Sequence, residues 1–141
     1  MTRQVREVMS PGAAAVEPMA SLTDVARLMR EKDIGEVLVA YDCDLFGVIT
    51  DRDIVVRALG RDLDPAAITA GHLCTHPPLA VVSADDTTDH AAELMREFAI
   101  RRIPVVEHGG CPVGMLSLGD LAVLDEPGSA LAEISGAPPN H

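Results

Sequence analysis

Apolar and polar positions along this chain follow a short strand rhythm and a longer helical one, and the same order of rhythms occurs twice. In the first half, Ala13 to Val16 follows a Ser10-Pro11-Gly12 turn and reads as a short strand. Leu22, Val25, Ala26 and Met29 then recur at i, i+3, i+4 and i+7, which predicts one apolar helix face, with Arg27, Arg30 and Glu31 largely off it. Ser21 or Thr23 is placed to cap that helix. Val37 to Tyr41 and Leu45 to Ile49 flank Asp42-Cys43-Asp44, a hairpin signal. A helix from Asp51 to about Leu59 follows, with Gly60 at its end.

The second half copies this order. Leu79 to Val82 predicts the first strand, and Ala91, Leu94, Met95 and Phe98 the helical stripe. Ile103 to Val106 and Val113 to Leu116 flank a turn containing Gly109, Gly110 and Pro112, and a short helix runs from about Leu118 to Leu124. Each half is therefore β-α-β-β-α, an α/β arrangement. A helical crossover makes its first two strands parallel and right-handed.

The repetition extends to residue identity. Met29-Arg30-Glu31-Lys32-Asp33-Ile34 matches Met95-Arg96-Glu97-Phe98-Ala99-Ile100 at an offset of 66, which also pairs Pro11 with Pro77 and Val39 with Val105. One added residue in the later turn shifts the offset to 67, pairing Gly47 with Gly114 and Asp53 with Asp120. An offset near half the chain indicates two copies of one unit rather than a solenoid. Each copy is marginal alone at about 60 residues, so the two are expected to pack about a pseudo-twofold axis and share a core. The expected boundaries are 5–59 for the first motif, 60–68 for a linker, 69–124 for the second motif and 125–141 for a tail. Ala130 to Ile134 could form a helical turn in that tail, and the last six residues read as loose.

Composition narrows the chemistry. Apolar residues make up 48% of the 141 residues but aromatics only 2%, so the core must be aliphatic. A net charge of -11 argues against nucleic acid or an anionic membrane as partner, and it requires a local basic pocket for any anionic ligand. No apolar run reaches the roughly 18–20 residues of a membrane span, and Met1 to Arg6 leads into no signal-peptide core. A cytoplasmic protein is expected. The three cysteines, Cys43, Cys74 and Cys111, follow no regular spacing and are expected to be reduced thiols.

The repeated chemistry lies in Gly47-Val48-Ile49-Thr50-Asp51-Arg52-Asp53 and Gly114-Met115-Leu116-Ser117-Leu118-Gly119-Asp120. Each ends a strand with a hydroxyl and places an Asp three residues later, as a helix begins. Backbone N–H groups at a helix N-terminus suit a phosphate, and the hydroxyl can donate one more bond. A carboxylate offers two acceptor oxygens to the two hydroxyls of a ribose, and apolar strand edges offer a surface to a purine. The same Thr/Ser-x-x-Asp spacing also resembles a helix capping box, in which hydroxyl and carboxylate serve the helix itself. Both readings stand on the residues alone.

Met9-Ser10-Pro11 leading to Val16, the paired Met-Arg-Glu helices, Ile103-Pro104-Val105-Val106 and the two Gly-x-x-Thr/Ser-x-x-Asp endings together resemble a tandem CBS-domain pair over about residues 5–124. Ile49 to Arg57, with Asp64-Pro65 and Thr69-Ala70-Gly71, resembles the small stand-alone bacterial members. The resemblance implies a regulatory, non-enzymatic module. It would bind AMP, ATP or another adenosyl nucleotide in clefts between the motifs, and require no cofactor. It assigns Thr50, Asp53, Ser117 and Asp120 to phosphate and ribose, and brings Arg101 and Arg102 to the phosphate. The first copy has Gly35-Glu36 where the second has Arg101-Arg102, so unequal anion affinity is expected. The resemblance also implies a homodimer, with output through that interface or a protein partner. The rival reading is a nucleotide-independent structural or stress-related interaction protein.

Metal and catalytic chemistry have weaker signals. His72-x-Cys74-x-His76, with His108 or Cys111, could ligate a metal from an extended chain, but Cys74 aligns with Val8 and reads as a small buried residue. No metal site is expected. No nucleophile has an adjacent base implied by spacing and no Gly-Lys-Ser/Thr phosphate loop occurs, so no catalytic residues are assigned.

Overall fold

The computed structural model describes residues 3–75, 80–107, 109–125, 128 and 130–137. It contains two repeats of mixed helix and strand, organised into two units. In one unit, residues 13–75 and 109–111, the sheet order is β2 (Ala15–Val16), β3 (Glu36–Tyr41), β4 (Asp44–Thr50), with the first pair parallel and the second antiparallel. In the other, formed by residues 3–12, 80–107 and the described residues from 112 onward, the order is β1 (Ser10–Pro11), β7 (Pro112–Ser117), β6 (Arg102–Val106), β5 (Val82–Ser83). Here β5 and β6 are parallel. The expected strand-helix-strand-strand-helix order is present in both. The first strands are shorter than expected, and the Leu79 end of the second lies outside the described residues.

Both crossover helices start on side-chain caps. The Ser21 hydroxyl accepts from the Asp24 N–H at 3.1 Å to open α2 (Leu22–Lys32), and Thr87 does the same for His90 at 3.1 Å to open α4 (Thr88–Phe98). Of the stripe expected on α2, Leu22, Val25 and Met29 are buried and Ala26 is exposed, with Leu28 packing in its place. On α4, Thr88, Ala91 and Met95 are buried, but Phe98 is exposed. Phe98 occupies the position of Lys32 at the last turn of its helix.

The largest departure from the expected layout concerns the segments that lead into each repeat. Helix α1 (Val5–Val8) and β1 belong to the second-repeat unit: Val5 is fully buried in its core and Ser10 pairs with Met115. Their counterparts, α3 (Ala70–Leu73) and Thr75, belong to the first-repeat unit, where Ala70, Leu73 and Cys74 are buried and Thr75 bridges Val48. The lead segments are thus exchanged. Each unit has its own aliphatic core, not a shared one. Arg6 helps hold its segment through exposed ion pairs to Glu107 at 2.6 Å and Asp85 at 3.0 Å. Those bonds, the one to Glu107 foremost, raise its guanidinium pKa further above its ordinary value.

The exchange explains why Gly47 and Gly114 recur. A Cβ at Gly47 would run into the Thr75 carbonyl and lie 2.7 Å from Cys74 Sγ. One at Gly114 would lie 2.6 Å from the Ser10 carbonyl and 2.8 Å from Met9 Sδ. Only glycine lets the incoming backbone lie that close to the strand.

The helices after the hairpins also differ. The first, beginning at Asp51, widens into a π-helical stretch at Asp53–Ala58 and tightens into a 3₁₀ turn at Leu59–Arg61. It is ended by Asp62 in the left-handed region, φ 60°, and not by Gly60. The second, α5 (Leu118–Asp125), is α-helical and is followed by α6 (Ala130–Gly136), longer than the single turn expected. Of the loose tail expected, residues 138–141 lie outside the described residues.

The expectation of three reduced thiols is corrected. Cys43, in the β3–β4 turn, and Cys111, just before β7, form a disulfide that does not include Cys74. Their separation of 68 is one more than the repeat offset, so the two residues occupy nearly equivalent hairpin turns.

Candidate functional site

Each repeat places a hydroxyl, a carboxylate and a charged residue around one helix start. The hairpin register does this by placing Glu36 directly across from Thr50 and Arg102 directly across from Ser117. The helix then starts against the residue before that partner: the Asp51 N–H donates to the Gly35 carbonyl at 2.9 Å and the Leu118 N–H to the Arg101 carbonyl at 2.7 Å.

Both starts are capping boxes. Asp53 Oδ2 accepts from the Thr50 N–H at 2.9 Å, while Thr50 Oγ1 accepts from the Asp53 N–H at 3.1 Å. In the second repeat, Asp120 Oδ2 accepts from the Ser117 N–H at 2.9 Å and Ser117 Oγ from the Asp120 N–H at 3.0 Å. The box uses one carboxylate oxygen and one hydroxyl lone pair. It leaves the hydroxyl proton and the second carboxylate oxygen for other partners.

The surroundings of the two boxes diverge. In the first repeat, Asp53 Oδ1 lies 3.7 Å from Arg57 Nη1, one helical turn on. The Asp51 carboxylate folds over Gly35, where an added Cβ would lie 2.8 Å from Oδ2. With Glu36 beside Thr50, three carboxylates surround this helix start. In the second repeat, Leu124 replaces Arg57, Leu118 replaces Asp51, and Arg101-Arg102 replaces Gly35-Glu36. Among the described residues, no basic side chain forms an ion pair with Asp120 and no carboxylate with Arg101.

Beside the second box lies a cavity of about 550 Å³ lined by Arg101, Arg102, Ser117, Leu118, Gly119, Asp120 and Val123. Four of the six expected site residues, Arg101, Arg102, Ser117 and Asp120, therefore line one space, and Thr50 and Asp53 lie in the other unit. Leu118, Gly119 and Val123 join them beyond the residues the sequence points to. Leu118 and Val123 are 42% and 43% exposed, an apolar wall with open faces. Their signal in the sequence was weak: an exposed Leu or Val on a short helix with few polar positions resembles core.

Among the described residues, those considered for a metal do not assemble. His72 lies on α3 rather than on an extended segment, and Cys74 is buried with its thiol pKa raised by that burial. Cys111 is in the disulfide, and His76 and His108 lie outside the described residues. Among the described residues, no three His, Cys, Asp or Glu side chains converge as metal ligands. No helix among them is long and apolar enough to cross a membrane.

Comparison with known proteins supplies the wider frame. The family described as CBS domain matches residues 5–60 and again 70–125. Hypoxic response protein 1 of Mycobacterium tuberculosis is 36% identical over 118 residues, 83% of this chain and 81% of its own. A solved structure of Hypoxic Response Protein I with two coordinated zinc ions superposes with a TM-score of 0.76 at 35% identity, over 85% of this chain and 97% of that one. The structure of CBSX2 in complex with AMP gives a TM-score of 0.71 at 27% identity, over 86% and 94% of the two chains.

Proposed function

The chain belongs to the CBS-domain family, whose tandem pairs are regulatory modules, and from that premise we propose that its second repeat receives an adenosyl nucleotide such as AMP or ATP. The observation that carries this is the convergence of Arg101, Arg102, Ser117 and Asp120 on one cavity of ligand size. Arg101 and Arg102 attract the phosphate, with the Ser117 hydroxyl donating to it. The Asp120 oxygen left over by the capping box accepts from the ribose. Leu118 and Val123 take a face of the adenine. The AMP held by CBSX2 supports this ligand class.

Thr50 and Asp53, expected as a second ligand set, serve in this reading mainly as a helix cap. The carboxylates of Asp51 and Glu36 oppose a phosphate there, and Arg57 engages the second oxygen of Asp53. Ligand binding would bias one arrangement of the module over another. The signal leaves through a protein partner or a homodimer, for which exposed Val55, Val56 and Leu59 offer an apolar face. Sedimentation of wild type against Val56→Glu would test that face.

Calorimetry against a panel of adenosyl ligands tests the site. Saturation at 100 times the dissociation constant should also stabilise the protein by about 2.7 kcal/mol. No binding at millimolar ligand, or an Asp120→Ala variant that binds like wild type, would overturn the assignment. The nucleotide-independent reading draws on the capping boxes, whose polar groups already serve the helix. The same titration decides for it if every ligand fails.

A further inference from the structure

Cys43 and Cys111, 68 residues apart, meet in a disulfide. The short segment carrying Cys111, residues 109–111, groups with the first-repeat unit that contains Cys43. The two sulfurs differ in access: Cys43 is exposed and Cys111 half-buried. Cys43 sits between Asp42 and Asp44, both exposed. Gly109 and Gly110, with φ of 88° and 90°, form the turn before Cys111, and a Cβ added to either would meet nothing within 4 Å. Both glycine positions of that turn therefore face open space. The third thiol, Cys74, is buried and its pKa is raised by burial.

We propose that Cys43 and Cys111 are a reversible thiol–disulfide site that exchanges with small cationic or neutral thiols in preference to anionic ones. Exposure of the Cys43 sulfur makes the disulfide exchangeable rather than purely structural. In the opening direction, a small thiolate attacks the exposed Cys43 sulfur. The Cys43–Cys111 bond breaks, Cys111 leaves as thiolate and takes up a proton, and Cys43 holds the small thiol as a mixed disulfide. A second small thiolate then attacks that thiol's sulfur and releases Cys43. The net change is two small thiols oxidised to their disulfide and two cysteines reduced. Closing is the reverse, with a small disulfide as oxidant. The selectivity follows from charge: Asp42 and Asp44 flank the attacked sulfur on a chain of net charge -11, so an anionic thiolate approaches against the field and a cationic thiol with it.

The full chain, unfolded and alkylated without reductant after incubation with cystamine, should take one label, on Cys74, with a Cys43–Cys111 cross-linked peptide by mass spectrometry. After reduction it should take three, one per cysteine. Opening by cysteamine should exceed opening by mercaptoethanesulfonate by roughly threefold or more at low salt, each rate normalised to an uncharged model disulfide. That ratio should collapse at high salt and in the Asp42→Asn/Asp44→Asn double variant. Three labels after cystamine treatment would overturn the site. A ratio unmoved by salt and by the double variant would overturn the charge selectivity.

Discussion

The first and second repeats share a helix start almost atom for atom and differ in what surrounds it. Thr50–Asp53 and Ser117–Asp120 form the same reciprocal box within 0.1 Å. Across the hairpin, one box faces Glu36 and the other Arg102. The remaining oxygen of Asp53 faces Arg57, while Asp120 has Leu124 at the equivalent position. The duplicated motif thus sets the same cap hydrogen bonds in both places, while the neighbouring charges differ in sign.

The recurring glycines carry the largest expected effect on stability. Gly47→Ala should cost roughly 3 kcal/mol, because the Cβ meets the Thr75 backbone carbonyl, which cannot rotate away. Gly114→Ala should cost somewhat less, because part of its clash is with the flexible Met9 side chain. Urea midpoints of both variants check this, and two neutral substitutions would refute the close approach of the exchanged segments.

Charge comes next. Rebuilding the second site as the first, with Arg101→Gly and Arg102→Glu, should weaken nucleotide affinity about 100-fold by calorimetry, from the loss of two charge-assisted contacts and the gain of one repulsion. Retained affinity would remove the arginines from the site.

The carboxylates separate capping from binding. Asp53→Ala and Asp120→Ala should each lower stability by about 1 kcal/mol in urea unfolding, since each removes the same cap. Only Asp120→Ala should also weaken nucleotide binding, by roughly tenfold. Equal binding losses in the two would make the repeats functionally equivalent. The smallest effect belongs to Arg57→Ala, whose partly exposed pair at 3.7 Å should change stability by less than about 0.5 kcal/mol and leave affinity unaltered.

Legibility followed the range of the interactions. The caps at Ser21, Ser117 and Thr50, the two hairpins and the parallel first strand pairs were readable because each depends on residues close in sequence or on a repeated pattern. Phe98 misled because an apolar residue at stripe spacing says nothing about where its helix leaves the sheet. The π-helical winding at Asp53–Ala58 has no signature in residue type. The repeat offset did hold an unread clue in Cys43 and Cys111, whose separation nearly equals it.

The residues alone carried two copies of one α/β unit and a Thr/Ser-x-x-Asp spacing at the start of each last helix. Those properties are local, set by periodicity and by side chains three or four residues apart, whereas the hairpin register set Glu36 and Arg102 across from the two hydroxyls. Tertiary structure alone decided that the lead segments are exchanged, that two glycines must stay bare to admit them, that Cys43 meets Cys111, and that four polar residues of the second repeat line one cavity with Leu118 and Val123. Each of these depends on strands or turns that meet through tertiary pairing, and no local preference encodes such a meeting.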